Sequence, residues 1–404
     1  MLTSLAYILL LGLLLGALAG KLRLPPLIGM IAAGILLGPS CLNLLSDSLL
    51  NISADLRQLA LIIILTRAGL TLDVAALKWV GRPAVLMCFP PACFEIAGMV
   101  LLAPRLLGVS TLDAAIMGAV VAAVSPAVIV PRMLRLMEAG YGTKKSIPQM
   151  ILAGASVDDV FVIVLFTAFT GLAQGQSASA SSLVGVPVSI ALGVAVGLLL
   201  GTALAWGWKK LHMRDSAKVL ILLSLSFLLV ALENAVKGHF PFSGLIAVMS
   251  MGAALYRSRP VVAMRLSAKY ARLWVAAEVL LFVLVGAAVD LRYAVKAGPM
   301  ALLLIALVLL FRAAGVMVCV AGTRLRAKER LFCVLAYMPK ATVQAAIGGV
   351  PLAMGLGCGE IVLTVAVLAI LFTAPLGALA VDATWKRLLD GPATPSCNPE
   401  QQSV

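Results

Sequence analysis

Runs of about 20 apolar residues, the length an α-helix needs to cross the hydrocarbon core of a bilayer, recur along the whole chain between short polar or basic turns. Cutting the sequence at those turns predicts thirteen spans, at about 2–20, 25–42, 57–72, 84–104, 112–131, 149–172, 183–207, 217–235, 242–256, 272–289, 297–321, 330–352 and 360–385. The first run has no basic residue ahead of it and exceeds the apolar core of a signal peptide, so it reads as an uncleaved helix. Polar positions inside these runs are the informative ones, because an ionisable group at membrane depth is expensive and marks function by default.

Loop charge bears on the number of spans. With the N-terminus outside, the inside loops collect 23 of the 31 basic residues, among them Lys21, Arg23, Lys78, Lys144, Lys145, Arg214 and Arg326. The outside loops hold five, Arg57, Arg105, Lys237, Arg292 and Lys296, and three more (Arg67, Arg312 and Lys340) lie within spans. That bias follows the positive-inside rule, and one span more or fewer would scramble it. The C-terminus is then cytoplasmic, with residues 390–404 as a short disordered tail rich in Pro, Ser, Asn and Gln.

Composition excludes a soluble domain: 62% of residues are apolar, 12% are charged and the mean hydropathy is +1.09. A net charge of +14 would suggest nucleic acid in a soluble protein. Here topology accounts for it, and no nucleic-acid partner is expected. The seven cysteines (Cys41, Cys88, Cys93, Cys319, Cys333, Cys358 and Cys397) have no metal-like spacing, so neither zinc nor disulfides are expected, and no cofactor is implied. His212 and His239 read as loop histidines. Short loops and the absence of a long soluble tail point to a bacterial inner membrane.

Thirteen spans divide as six, a linker and six, so the second set starts from the opposite side of the membrane, the inverted-repeat plan of many secondary transporters. The fourth spans of the two halves carry Glu95 and Arg312, and the fifth carry Ser125-Pro126 and Pro339-Lys340. Proline in the middle of an apolar helix removes a backbone hydrogen bond. It either merely kinks the helix or breaks it at a site. Broken helices at matching positions of two halves point to a binding site. Around the second proline, Lys340, Thr342 and Gln344 add a cation, a hydroxyl and an amide. Exposed carbonyls there suit a small cation, while Lys340 would compensate the negative ends of half-helices.

The sixth span carries two adjacent carboxylates, Asp158 and Asp159, about a third of the way in. Neighbouring helix positions diverge by about 100°, so one can line a water cavity while the other faces a protein partner. Glu95 and Arg312 read as a structural ion pair joining their two spans. Arg67 reads as snorkelling at the inner end of the third span, and Glu233 and Glu278 as interfacial groups near helix ends.

Five segments carry a resemblance: Gly118 to Pro131, Gly140-Tyr-Gly142, Ala155-Ser-Val-Asp-Asp159, Phe282 to Gly286, and Met338 to Gly348. In them the chain resembles sodium/proton antiporters of the cation/proton antiporter superfamily, and within it bacterial relatives of the animal NHA exchangers. The resemblance implies an all-α polytopic fold with two crossing discontinuous helices, the fifth and twelfth spans. It implies one transporter unit over residues 1–389, with scaffold helices such as those in 2–42 and 217–256, and core helices in 84–172 and 297–385. It further implies a homodimer through the scaffold and an elevator-like movement of the core. The family's principal cation and proton carrier maps onto Asp159, with Asp158 assisting. Where electrogenic members have a titratable lysine, this sequence has Arg312, which leans towards electroneutral exchange.

A cation and a proton competing for one carboxylate need no other coupling device, because occupancy by one excludes the other. Asp159 is expected to carry a proton in one direction and sodium or lithium in the other, with Ser125, Thr342 and backbone carbonyls completing a hard-oxygen shell. The alternatives are a sodium-coupled organic-solute symporter, a potassium/proton antiporter, a channel and a membrane enzyme. The last would need a second acidic cluster, which the sequence lacks, and a channel would need a filter motif.

Overall fold

The structure is a computed structural model that describes residues 1–22, 24–72, 81–174, 180–211, 213–236, 240 and 242–391. Arg23, Lys78, His212, Lys237, His239 and the tail from residue 392, with Cys397, lie outside the described residues. The helices are α1 (Leu2–Lys21), α2 (Pro26–Leu37), α3 (Asp47–Asn51), α4 (Ser53–Thr71), α5 (Arg82–Leu86), α6 (Pro90–Leu107), α7 (Thr111–Ala122), α8 (Pro126–Glu138) and α9 (Ile147–Ala173). They continue as α10 (Ala180–Lys210), α11 (Asp215–Val236), α12 (Gly244–Ser258), α13 (Pro260–Ala287), α14 (Leu291–Cys319), α15 (Ala327–Ala336), α16 (Thr342–Ile347), α17 (Val350–Ala353) and α18 (Gly359–Leu388). Among the described residues eight helical segments are long and apolar enough to cross a membrane. Each interval read from the sequence contains helix; the second, fourth, fifth, ninth and twelfth hold shorter or broken ones.

Prolines explain where the structure departs from the predicted boundaries. α2 stops at Leu37, five residues early, because Pro39 holds Gly38 extended at φ −71°, ψ 173°. The predicted span 84–104 is interrupted after Leu86, since Pro90 and Pro91 have no N–H to continue a helix and instead open α6. α13 starts at Pro260 rather than near residue 272, which moves Glu278 from a helix end into the interior of a 28-residue helix. Glu233 does stand near the end of α11, where its Oε2 accepts from Gly244 N at 2.9 Å and caps α12. Arg57, counted from sequence among the outside loops, is buried on α4. Asp390, counted from sequence in the tail, is bonded: its carbonyl accepts from Gly142 N at 2.9 Å and its carboxylate from Arg326.

The helices pack as two groups. α1, α2, α4, α10, α11, α12 and α13 touch one another, and α5 to α9 with α14, α15 and α18 form the other group. α16 stands between them, touching α4 and α13 on one side and α7 and α18 on the other. Glycine sets the spacing in the first group. A Cβ on Gly34 of α2 would lie 2.0 Å from the Val283 carbonyl oxygen of α13, and one on Gly286 would lie 2.2 Å from that of Ile31. Backbones meet there directly, the way small residues let membrane helices approach where lipid leaves no hydrophobic drive between them.

Candidate functional site

Two broken helices cross inside the second group. α7 ends at Ala122, Ala123 and Ser125 are extended, and Pro126 opens α8 at the one helical position where a missing N–H costs nothing. In the other strand of the crossing α15 ends at Ala336, and Tyr337 to Ala341 lead into α16 at Thr342. The breaks are bonded to each other: Ser125 N donates to the Pro339 carbonyl at 2.8 Å. Gln344 Nε2 donates to the carbonyls of Val121 at 3.1 Å and Ala123 at 2.8 Å. Lys340 N donates to Thr373 Oγ1 of α18 at 2.9 Å. Backbone groups freed by the breaks thus find partners inside the protein, as non-helical backbone at membrane depth requires.

A buried charge cluster sits on this crossing. Glu95 Oε2 lies 2.6 Å from Arg312 Nη1 and 2.6 Å from Lys340 Nζ. Arg312 also donates to the carbonyls of Ala122 and Tyr337, and Lys340 Nζ lies 3.4 Å from the Ala122 oxygen. Both cations therefore meet the C-terminal carbonyl of the half-helix α7, the negative end of its dipole. Asp158 Oδ2 accepts from Val124 N at 2.8 Å and lies 3.3 Å from Arg312 Nη2, so one carboxylate answers both the break and the cation. Glu95, Asp158, Arg312 and Lys340 are fully buried.

Asp159 differs from its neighbour. It is buried, and its Oδ1 has no hydrogen-bond partner. Asp158 Oδ1, Ser125 Oγ and Gln344 Oε1 are likewise buried oxygens without partners. Such atoms are costly in low dielectric unless satisfied. Hard oxygens, carboxylate, hydroxyl and amide, are the donor set that alkali cations accept. Thr342 is buried at the start of α16, with no hydroxyl bond to these oxygens.

The sequence pairs Glu95 with Arg312, and the structure makes that contact the centre of a larger network. The contact of Lys340 to Glu95, that of Arg312 to Asp158, and the amide bridge of Gln344 all cross between segments distant in sequence. Tyr337 was not singled out. Its hydroxyl donates to Met87 O at 3.2 Å, and a Cβ on Gly154 would lie 2.2 Å from its oxygen, so Tyr337 fixes α9 one turn before Asp158. Thr373 was also passed over; the polar residue in the apolar run Leu371-Phe372-Thr373-Ala374-Pro375 was its signal. Arg57 presses its Nη1 against Gly349, between α16 and α17, far along the chain from either break motif.

One polar network closes the end of the same group. Lys145 Nζ lies 2.7 Å from Glu329 Oε2, which also accepts from Arg326 N at 2.6 Å, and Arg326 pairs with Asp390. The Arg326 guanidinium holds the Asp390 carboxyl below the usual carboxylate range.

Comparison with known proteins agrees with this architecture. The family described as "Sodium/hydrogen exchanger, transmembrane" matches residues 6–387. The chain is 35% identical to sodium/hydrogen exchanger 9B2 of Mus musculus over 383 residues, 91% of this chain and 69% of that protein. With sodium/hydrogen exchanger 9B1 of the same species it shares 33% over 383 residues, 91% of this chain and 66% of that protein. Among solved structures, that of the sodium proton antiporter MjNhaP1 from Methanocaldococcus jannaschii at pH 8 has a TM-score of 0.80. At 22% identity it covers 95% of this chain and 96% of its own, which establishes the shared fold.

Proposed function

The chain belongs to the sodium/hydrogen exchanger family, and we propose that within this multi-pass sodium/proton antiporter Asp159 is the carboxylate over which sodium and a proton compete. The observation that carries the reading is the contrast between two adjacent aspartates. Asp158 is anchored through Oδ2 by Val124 N and Arg312, whereas Asp159 has no hydrogen bond or ion pair among the described residues; the Oδ1 of each is buried without a partner. Asp158 acts as an assistant that orients the break, and Asp159 as the group that changes occupant.

Charge supports a one-for-one exchange. Three carboxylates, Glu95, Asp158 and Asp159, face two cations, Arg312 and Lys340, so the fully ionised cluster carries one negative charge. One proton or one sodium ion cancels it. Either loaded state is neutral and can cross low dielectric, while the empty one pays the penalty of a buried charge. Exchange is then obligatory and electroneutral. Ser125 Oγ and Gln344 Oε1, with carbonyls at both breaks, supply further ligands, and lithium fits the same oxygens.

Movement follows an elevator pattern. The group holding the crossing slides against the first group, which, α1 included, forms the scaffold of a homodimer. The protein works as a transporter and not as an enzyme, in a bacterial inner membrane, with its N-terminus outside and its C-terminus in the cytoplasm. The test is proton movement in proteoliposomes under an imposed pH gradient, with sodium, lithium or potassium added in turn. Sodium should dissipate the gradient with the native chain and not with Asp159→Asn. Equal traces from the two proteins would remove Asp159 from the role.

A further inference from the structure

A cation of the first helix group reaches across to the second arm of the crossing, away from the carboxylates. Arg57 stands near the start of α4, and Gly349 lies between α16 and α17, where that arm continues. A Cβ on Gly349 would lie 2.2 Å from Arg57 Nη1, 3.0 Å from its Cζ and 3.4 Å from its Nη2. The guanidinium therefore fills the space that a side chain there would need. Behind the same junction, a Cβ on Gly348 would lie 2.7 Å from the Ala366 Cβ of α18. Two adjacent glycines thus let the end of α16 be held between a helix of one group and a cation of the other.

That cation is incompletely satisfied. Arg57 is only 7% exposed, and its Nε donates to the Ser53 carbonyl of its own helix at 3.3 Å. Its Nη1 is buried with no hydrogen-bond partner among the described residues. A buried arginine kept for stability alone is expected to have its donors paired. One left a donor short, at the boundary between two groups, suits a contact made in one position of the core and given up in another. Its charge also lies at the C-terminal end of α16, as Arg312 and Lys340 lie at that of α7. Both half-helices end on a cation, but the one at α16 comes from the other group.

We propose that Arg57 is a positioning residue of the exchange cycle, a clasp that holds the α16–α17 junction at Gly349 in one position of the core and releases it when the core slides. The inference rests on the sliding movement proposed above and not on which aspartate carries the ion. With the N-terminus outside, the start of α4 and the junction at Gly349 both fall at the outer ends of their spans. The clasp then favours the position in which the outer side is closed between the two groups. Removing it raises the fraction of protein open to the outside, and the apparent affinity for an ion arriving there rises with that fraction. Sodium and lithium shift alike, because Arg57 touches neither.

The test uses the full chain in proteoliposomes, with sodium or lithium presented in a concentration series at the outer face. Arg57→Ala should lower the KM for both ions by a common factor of at least about threefold. Gly349→Ala, which pushes the guanidinium from its seat, should act in the same direction. The double variant should go no further than Arg57→Ala alone, the mark of two residues acting through one contact. A purely structural arginine would lower the Tm and leave both KM values unchanged, which overturns the proposal. A shift that differs between sodium and lithium overturns it too, by placing Arg57 at the ion, and so do additive effects in the double variant. Arg57→Lys, which keeps the charge and loses the fork, should show a smaller shift of the same sign even where the alanine variant fails to fold. Amide hydrogen exchange of the full chain in detergent reads the clasp without transport. Exchange over residues 348–353 should be at least about threefold faster in Arg57→Ala, and an unchanged rate overturns the proposal. Equal traces from the native chain and Asp159→Asn would remove the carrier assignment and leave these comparisons standing.

Discussion

The two helix groups solve opposite problems with the same apolar composition. In the first, backbones touch through glycines such as Gly34 and Gly286, and hydroxyls bond locally or in single pairs: Thr66 Oγ1 donates to Ile62 O at 2.7 Å and Ser226 Oγ to Leu222 O at 2.8 Å, with the two hydroxyls 3.3 Å apart. Its two buried cations among the described residues, Arg57 and Lys218, lie in the opening turns of α4 and α11. In the second, two helices are broken at the centre and five ionisable side chains gather on the breaks. Close packing with scattered polar groups makes a rigid partner. Polar groups that depend on one another across four helices make a site whose occupancy changes its energy.

That contrast is broken most severely at the proposed carrier. Asp159→Asn is expected to abolish sodium-dependent proton movement while leaving the protein folded, which a melting curve in detergent would check. Glu95→Gln comes next, because it leaves Arg312 and Lys340 facing each other at the Ala122 carbonyl with their shared carboxylate gone. Removing one partner of a buried pair costs about 3–5 kcal/mol, read as a large fall in Tm. Gly34→Val tests the rigid group, where a new side chain meets the Val283 backbone rather than a movable side chain. Overpacking of this kind costs about 1–3 kcal/mol. It should lower Tm more than the same change at Gly20, where nothing stands within 4 Å.

Smaller effects sharpen the comparison. Gln344→Ala removes two bonds across the crossing and leaves two buried carbonyls short of a donor, a loss of about 1–2 kcal/mol. It should also weaken the apparent sodium affinity in the proteoliposome assay, since the amide oxygen is lost too. Asp390→Asn should have the least effect, and only on stability. Arg326 depresses the Asp390 carboxyl, so its contribution is fully present above the ordinary aspartate value of about 3.9 and disappears as pH falls through the lowered one. Native and Asp390→Asn melting curves should therefore differ near neutral pH and converge in strong acid.

Much of the fold is legible because a bilayer allows few solutions. With no water at depth, apolar runs must be helices, and α1, α9, α10, α11 and α18 fall within a few residues of their predicted intervals. Boundaries failed where proline intervened in an unread way, at Pro39, Pro90 and Pro260. The site was legible in part for the same reason: Glu95, Arg312, Lys340, Asp158 and Asp159 are too costly in an apolar run to pass unnoticed. Tyr337 and Thr373 were not, since a hydroxyl can satisfy itself on its own helix and so gives a weak signal.

From the sequence alone came the helical membrane class, the pairing of the two break motifs and the list of charged residues that must be accommodated. Those follow from local cost, which each residue carries wherever the chain takes it. Which charges meet was decided only in three dimensions. Glu95 and Lys340 are 245 positions apart, and Arg312 and Asp158 are 154 apart. Their contacts arise because the crossing brings both half-helix ends to one point. The same crossing anchors Asp158 through one oxygen, to a backbone N–H and a guanidinium, and gives Asp159 no such anchor. Two identical side chains, one residue apart, are thereby made unequal by packing.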